Sequence, residues 1–361
     1  MALSITPSRH WLGNDGPWSA FDIRIGPSQK LVQVLPASSV SLTLAVLEQG
    51  CIQGLDPSTC EADRGDVLDP IDLATWSNIT AENGQQYFNV TFPTEEFYFG
   101  GGVSSAIGVS SLGFADLNET LQSQLIAGFP SKTPFLGLLG LSGREAYPAN
   151  ASSSYKSPLQ TLKNTSAISG LTWAYTAGAK YKTPESFGSL TFGGYDASLV
   201  NMDEALTGVN FTRDFNGNEL TLTVKTITVG DQSSNATGLV AQLNSALPEI
   251  WLPESECRLF EDKFDLKWNE SFGMYLVSEE QRQRLQDQNT SVSFDLTASE
   301  SDSSKAVTIT LPYAAFDHEV KFPLANITDG ETTLHYFPLK RTPNDTSNFQ
   351  VFLGRTFFQE A

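Results

Sequence analysis

The sequence predicts an all-β protein of two lobes with a few short helices. Its 361 residues exceed what one simple hydrophobic core holds and suit two such cores. Short β-rich runs, such as residues 220–224 (LTLTV) and 306–311 (AVTITL), are separated by Gly, Pro and Ser. A strand-and-loop segment and a later apolar strand containing glycine occur once in each half. We therefore expect one lobe over residues 1–198 and another over residues 199–361.

The expected helices are few and short. They cover residues 121–126, 157–163, 253–264 and 278–286. In the third, Cys257, Phe260 and Phe264 recur at i, i+3 and i+7, so we expect them on one face towards the core. Polar stretches at residues 142–155 and 299–305 are expected to be exposed loops.

The repeated segments occur together with other motifs in a fixed order. The strand-and-loop segments are residues 34–39 (VLPASS) and 239–246 (LVAQLNSA), and the apolar strands are residues 135–141 (FLGLLGL) and 352–358 (FLGRTFF). An opening hairpin is expected at residues 11–29, and residues 188–196 (GSLTFGGYD) would close the first lobe. From about residue 11 onwards, the chain resembles the pepsin-like aspartic proteases. This resemblance implies an all-β, bilobal fold with a cleft between the lobes.

The resemblance also identifies a difference in chemistry. Each lobe of a pepsin-like protease carries Asp-Thr/Ser-Gly after the first strand, and its two carboxylates share one proton during catalysis. Here Leu35, or Pro36 if the alignment shifts by one residue, stands in the first lobe and Asn244 in the second. Neither Leu nor Pro offers a polar side chain, and an amide accepts no proton near neutral pH. We therefore expect no catalytic residue in either loop.

The resulting functional hypothesis is a catalytically inactive, pepsin-like binding or sensing ectodomain. Residues expected to line its cleft are Ser38, Ser39, Tyr98, Phe99, Asn244 and Ser245. Its expected partner is a peptide, a polysaccharide or another secreted protein, and we expect a monomer without cofactor or metal. Two alternatives are an aspartic-type endopeptidase with altered catalytic residues and an inhibitor of a secreted hydrolase. Similarity to fungal surface proteins, some of which continue into a membrane segment, implies that a membrane anchor beyond this chain is possible.

Charge and glycosylation motifs bear on partners and location. The net charge is −19, which excludes a nucleic-acid surface because binding to phosphates requires positive charge. Eleven Asn-x-Ser/Thr motifs favour a glycosylated protein that is extracellular or attached to the cell surface. The acceptors are Asn78, Asn89, Asn118, Asn150, Asn164, Asn210, Asn235, Asn269, Asn289, Asn326 and Asn344.

The chain has three cysteines. The resemblance implies a short disulfide between Cys51 and Cys60, worth roughly 2.5–3 kcal/mol in the chain-entropy model. Cys257 is then expected to be a buried free thiol, and the alternative is a partner cysteine beyond residue 361. A catalytic cysteine is disfavoured because no motif positions His10, His318 or His335 beside it.

Overall fold

The computed structural model describes residues 1–51, 58–69, 77–78, 87–90, 102–147, 154–200, 220–234, 238–298, 306–324, 332–342 and 351–361. In these residues strands predominate and helices are few and short, which confirms the all-β prediction. Among the described residues, no helix is long and apolar enough to cross a membrane.

The chain divides into two compact units. Unit 1 comprises Met1–Tyr175, Phe187–Asp196 and Phe322–Gly330, and unit 2 comprises Thr176–Ser186, Ala197–Lys321 and Glu331–Ala361. The main change of unit falls at Asp196, two residues before the predicted boundary at residue 198. The sequence did not indicate the two exchanged segments.

One exchanged segment is held within unit 2 by the end of the chain. The Ala177 N–H donates to the Phe358 carbonyl, 2.8 Å away. The Tyr181 hydroxyl donates to the Glu360 carboxylate, and Lys182 pairs with the same group at 2.9 Å. These contacts explain why residues 176–186 join unit 2 although they precede most of it in sequence.

Unit 1 is built on a nine-stranded sheet in the order β2-β3-β4-β10-β5-β9-β8-β6, with β7 also paired to β8, and a three-stranded sheet in the order β1-β12-β11. In chain order the strands are β1 Leu3–Ile5, β2 Pro7–Leu12, β3 Trp18–Ile25, β4 Lys30–Ala37, β5 Thr43–Val46, β6 Ser77–Asn78, β7 Tyr87–Val90, β8 Val103–Phe114, β9 Thr120–Phe129, β10 Gly137–Gly140, β11 Trp173–Thr176 and β12 Ser189–Phe192. Within its described residues, the α-helices of this unit are α1 Cys60–Asp63 and α2 Pro158–Asn164.

The residues at 121–126, predicted as a helix, form part of β9 instead. A six-residue segment is too short for its periodicity to distinguish a strand from a helix. Pairing decides here, since β9 runs antiparallel to β8 and parallel to β5. The predicted helix at residues 157–163 is confirmed as α2. Its Ser157 hydroxyl accepts the Gln160 N–H, and the Gln160 side chain accepts the Ser157 N–H, which together form a capping box.

A disulfide and a buried arginine fasten α1 to the rest of unit 1. The predicted bond between Cys51 and Cys60 is confirmed. Arg64, just after α1, is completely buried. Its guanidinium donates to four backbone carbonyls at 2.8–3.0 Å, those of Gly50, Ser131, Pro134 and Phe135. It also lies over the rings of Phe129 and Phe135.

Unit 2 contains an eight-stranded sheet in the order β20-β19-β13-β15-β24-β16-β23, with β14 paired to β13, and a four-stranded sheet in the order β17-β18-β22-β21. In chain order the strands are β13 Thr221–Val229, β14 Gln232–Ser233, β15 Leu239–Leu243, β16 Ile250–Leu252, β17 Trp268–Asn269, β18 Met274–Leu276, β19 Val292–Thr297, β20 Val307–Leu311, β21 His318–Lys321, β22 Thr333–Phe337, β23 Leu339–Arg341 and β24 Val351–Leu353. The helices are α3 Glu254–Phe264 and α4 Glu279–Gln288, as predicted to within two residues.

The core of unit 2 forms where α3 packs on the sheets. Cys257, Phe260 and Phe264 are all buried on one face of α3, as their spacing predicts. The Phe260 ring meets the Phe316 and Phe337 rings edge to face, with centroids 6.4 and 6.1 Å away. Burial of such aromatic side chains supplies much of the stability of a core.

Candidate functional site

The first loop of interest lies in a crossed arrangement of strands in unit 1. β4 leads into the loop and β5 leaves it, and β10 lies between them. β10 runs parallel to β4 and antiparallel to β5. β9 then pairs in parallel with β5 on the other side. The order of this four-stranded group is therefore β4-β10-β5-β9.

Unit 2 repeats the same arrangement. β15 leads into the second loop, β16 leaves it, and β24 lies between them. β24 is parallel to β15 and antiparallel to β16, while β23 pairs in parallel with β16. The group β15-β24-β16-β23 thus matches the group of unit 1 strand for strand, and the internal repeat expected from the sequence is present.

A glycine in each central strand fixes which residues correspond. A Cβ on Gly140 would lie 2.6 Å from the Val40 carbonyl, and a Cβ on Gly354 would lie 2.6 Å from the Leu247 carbonyl. Gly140 pairs with Ala37 in the ladder. In unit 2 the ladder ends where Leu353 pairs with Leu243, and Gly354 and Asn244 are the residues that directly follow this last pair. Ala37 is therefore the counterpart of Asn244.

This match corrects the sequence alignment in unit 1. Leu35, or Pro36, was expected to be the unit 1 counterpart of Asn244. These two residues instead pair with Leu138 and Leu139 inside the strand. Both are buried there. The sequence alone did not fix the position because a two-residue shift keeps every side chain on the same face of a strand. The corrected residue, Ala37, also lacks a polar side chain.

The two loops turn in the same way. The Val40 N–H donates to the Ala37 carbonyl at 3.3 Å, and the Leu247 N–H donates to the Asn244 carbonyl at 3.2 Å. In unit 1 the turn contains Ser38, which is buried, and Ser39, which is half-buried. In unit 2 Asn244 and Ser245 are completely buried. Of the four polar residues predicted for a binding surface here, only Ser39 is partly exposed.

Asn244 is held by hydrogen bonds within its own loop. Its Oδ1 accepts the Ala246 N–H at 3.1 Å, and its Nδ2 donates to Gln242 Oε1 at 3.3 Å. Arg355, which follows Gly354, donates through Nη1 to the carbonyls of Ser245 and Ala246. The counterpart of Arg355 in unit 1 is the apolar Leu141. The two loops therefore share a backbone course but have different supports.

Sequence reasoning missed a buried carboxylate near the second loop. Glu249 is only 3% exposed, and its Oε1 lies 3.5 Å from Lys340 Nζ. The Lys340 ammonium also lies over the Trp251 ring, 5.4 Å from its centroid. Nothing in the spacing of the sequence distinguished this glutamate from a solvated one. It is one carboxylate paired with a cation, whereas aspartic protease chemistry uses two facing carboxylates.

Cys257 has the environment of a structural thiol. It is free and buried, as expected. Its sulfur lies 3.5 Å from the Leu252 carbonyl and 3.6 Å from the Lys340 carbonyl. Burial raises the pKa of the thiol to about 12. Because the thiolate is the nucleophilic form, this environment disfavours a catalytic role.

We expect Cys257 to react with a disulfide reagent at pH 8 about a thousand-fold more slowly in the native protein than in urea, because its thiolate is rare. Unfolding restores an ordinary thiol pKa near 8.5. The unfolded chain then loses this proton first as the pH rises, so stability should fall between about pH 8.5 and pH 12. A Cys257→Ala variant gives the background rate of reaction with the reagent. Native and urea-treated rates within tenfold of each other would contradict the burial.

Other predicted site residues lie elsewhere. Tyr98 and Phe99 fall outside the described residues, as do the acceptors Asn150, Asn210, Asn235, Asn326 and Asn344. Asn78 lies in β6. Asn89, Asn118, Asn164 and Asn289 are exposed, and Asn269 is half-buried. In the described part of the chain, no group of three or more His, Cys, Asp or Glu side chains is arranged to hold a metal ion.

The sequence matches no protein-family model and no curated protein.

Proposed function

We propose that this protein is a catalytically inactive, pepsin-like extracellular glycoprotein that binds a peptide or a polysaccharide. The observation that carries the proposal is the pair of matched loop positions, Ala37 and Asn244. They lie at the ends of equivalent strands, level with equivalent glycines of the central strand. In a pepsin-like protease, the two catalytic aspartates would stand at these positions.

Neither matched residue can perform acid–base chemistry. Ala37 has only a methyl group. The Asn244 amide has the shape of a carboxylate, but it does not exchange a proton near neutral pH. Its Oδ1 accepts a backbone N–H and its Nδ2 donates to Gln242, so the side chain shapes the loop. General acid–base catalysis contributes typically about 10²–10⁴-fold for each group, and both contributions are lost here.

Two features support the extracellular part of the proposal. A glycan requires an exposed acceptor, and Asn89, Asn118, Asn164 and Asn289 are exposed. The disulfide between Cys51 and Cys60 suits an oxidising compartment. A net charge of −19 favours solubility and would attract a cationic partner more readily than an anionic one.

The first test is proteolysis by the wild-type protein. Protein from a secreting host would be incubated with a random peptide library from acidic to neutral pH, with and without pepstatin. We expect no pepstatin-sensitive cleavage. The same sample would be applied to peptide and glycan arrays, where we expect binding. Cleavage that disappears in a Glu249→Gln variant would show an altered enzyme and refute the proposal.

A substitution series tests the matched positions. Variant A carries Ala37→Asp, Ser39→Gly, Asn244→Asp and Ala246→Gly, which together restore Asp-Ser-Gly in both loops. Variant B replaces Ala37→Asp by Leu35→Asp and keeps the other three changes. We expect pepstatin binding by variant A only, because its carboxylates stand at matched positions. A folded variant A without pepstatin binding would contradict the pepsin-like part of the proposal.

A further inference from the structure

Strand β20 forms an outer edge of the eight-stranded sheet of unit 2. In the part of the chain that the structure describes, it pairs only with β19. Its five residues, Val307–Leu311, include no proline and no charge. Edge strands usually carry one of these features, or a bulge, because unpaired backbone groups otherwise pair with another chain. Among the described residues, none pairs with the outer side of β20.

Some other edge strands of the described chain carry such features, whereas the shorter edge strands β1, β11 and β17 do not. β23 bears Lys340 and Arg341, and β21 bears Glu319 and Lys321. β2 begins with Pro7, and its pairing with β3 is irregular between Pro7 and Trp11. Among the described edge strands that lack both proline and charge, β20 is the longest, with five residues.

The side chains of β20 are already fixed in position. Thr308 Oγ1 donates to Asp295 Oδ1 at 2.6 Å. Thr310 Oγ1 and Ser293 Oγ share a hydrogen bond at 2.8 Å. The two threonines are exposed, whereas Val307 and Ile309 are half-buried against the core. An ordered edge loses little conformational entropy when it pairs.

The strand has nearly the same pattern in both directions. The sequence VTITL has threonine on either side of Ile309 and an aliphatic residue at each end. In an antiparallel pair with a two-fold axis at Ile309, Thr308 would face Thr310 of a second copy. The threonines would then lie on one face and the aliphatic residues on the other. Such self-complementarity is what a two-fold interface requires.

We propose that β20 pairs with β20 of a second copy of this chain, which extends the sheet across a two-fold axis. The strand is short, so the buried area falls in the range of weak, transient contacts. We expect a dissociation constant in the micromolar range or weaker. Each copy carries a net charge of −19, so the two copies repel and added salt should strengthen the dimer. This state differs from the monomer expected from the sequence.

Charge substitutions test both the dimer and its register by sedimentation equilibrium of the full chain. Thr308→Lys with Thr310→Lys places like charges opposite each other, so we expect at least tenfold weaker association. Thr308→Lys with Thr310→Glu places opposite charges there, so association should equal or exceed that of the wild type. The two variants differ only at residue 310. Circular dichroism would confirm that both are folded.

Cysteine cross-linking gives a second readout. Thr308→Cys and Thr310→Cys would be prepared as separate chains and mixed under mild oxidation. Directly opposed residues of an antiparallel pair have Cα atoms about 4.5–5.5 Å apart, which a disulfide spans. We expect cross-linked dimer in the mixture and little in either chain alone. A wild-type monomer at all concentrations, equal association of the two charge variants, or no cross-link in the mixture would overturn the proposal.

Discussion

Replacing Arg64 by methionine should lower the free energy of unfolding of unit 1 by about 3–5 kcal/mol. The substitution leaves four backbone carbonyls without the guanidinium that now donates to them. Each buried acceptor that loses its donor costs about 1–3 kcal/mol. Relief of the buried charge offsets part of this cost, since burial already lowers the Arg64 pKa to about 10.

Arg64→Lys separates charge from geometry. Lysine keeps a cation but has three donors on one atom and no planar fork. It also loses the stacking of a flat group over Phe129 and Phe135. We expect a loss of about 2 kcal/mol, between wild type and Arg64→Met. Urea unfolding followed by circular dichroism would measure both variants, and stability within 0.5 kcal/mol of the wild type for Arg64→Met would refute the predicted role.

Alanine at Gly140 or Gly354 should destabilise the respective unit by at least about 3 kcal/mol. At Gly140 the new Cβ would lie 2.5 Å from the Leu42 carbonyl and 2.6 Å from the Val40 carbonyl. At Gly354 it would lie 2.6 Å from the Leu247 carbonyl and closer still to the Glu249 carbonyl. These are backbone atoms of the crossing loop, so no side-chain rotation relieves the overlap.

Gly143→Ala is the matched control for Gly140→Ala. Among the described residues, a Cβ at Gly143 meets nothing nearer than Leu159, at 4.0 Å, so we expect a change within about 0.5 kcal/mol. The reactivity of Cys257 identifies the affected unit. Gly354→Ala should expose this thiol at lower urea, and Gly140→Ala should not. Equal effects of Gly140→Ala and Gly143→Ala would contradict the steric argument.

Much of the architecture could be predicted from local patterns. Turn residues and β-rich runs gave the all-β class, and the spacing of Cys257, Phe260 and Phe264 predicted the buried face of α3. The prediction of a helix at residues 121–126 was wrong because the strand that forms there depends on pairing with distant strands. The assignment of residues 176–186 to unit 2 could not be predicted for the same reason, because this segment contacts the distant residues Phe358 and Glu360.

The candidate site was predicted in outline only. Asn244 was placed correctly relative to its strand, but its unit 1 counterpart required the ladder that pairs Ala37 with Gly140. Arg355 and Glu249 could not be predicted, because a charged residue is usually exposed. Arg355 contacts the carbonyls of Ser245 and Ala246, and Glu249 contacts Lys340, so both are buried by residues distant in sequence.

Gly140 and Gly354 are required by the backbone of the crossing strands and not by any reaction at the loops. Gly140 and Gly354 keep the crossing possible, and neither carries a side chain that could act on a ligand. The loops opposite them are free to differ, as Ala37 and Asn244 do. A search for relatives should therefore weight the crossing glycines and the strand before each loop. Chains that differ from this one at residues 37 and 244 would then be recovered together with it.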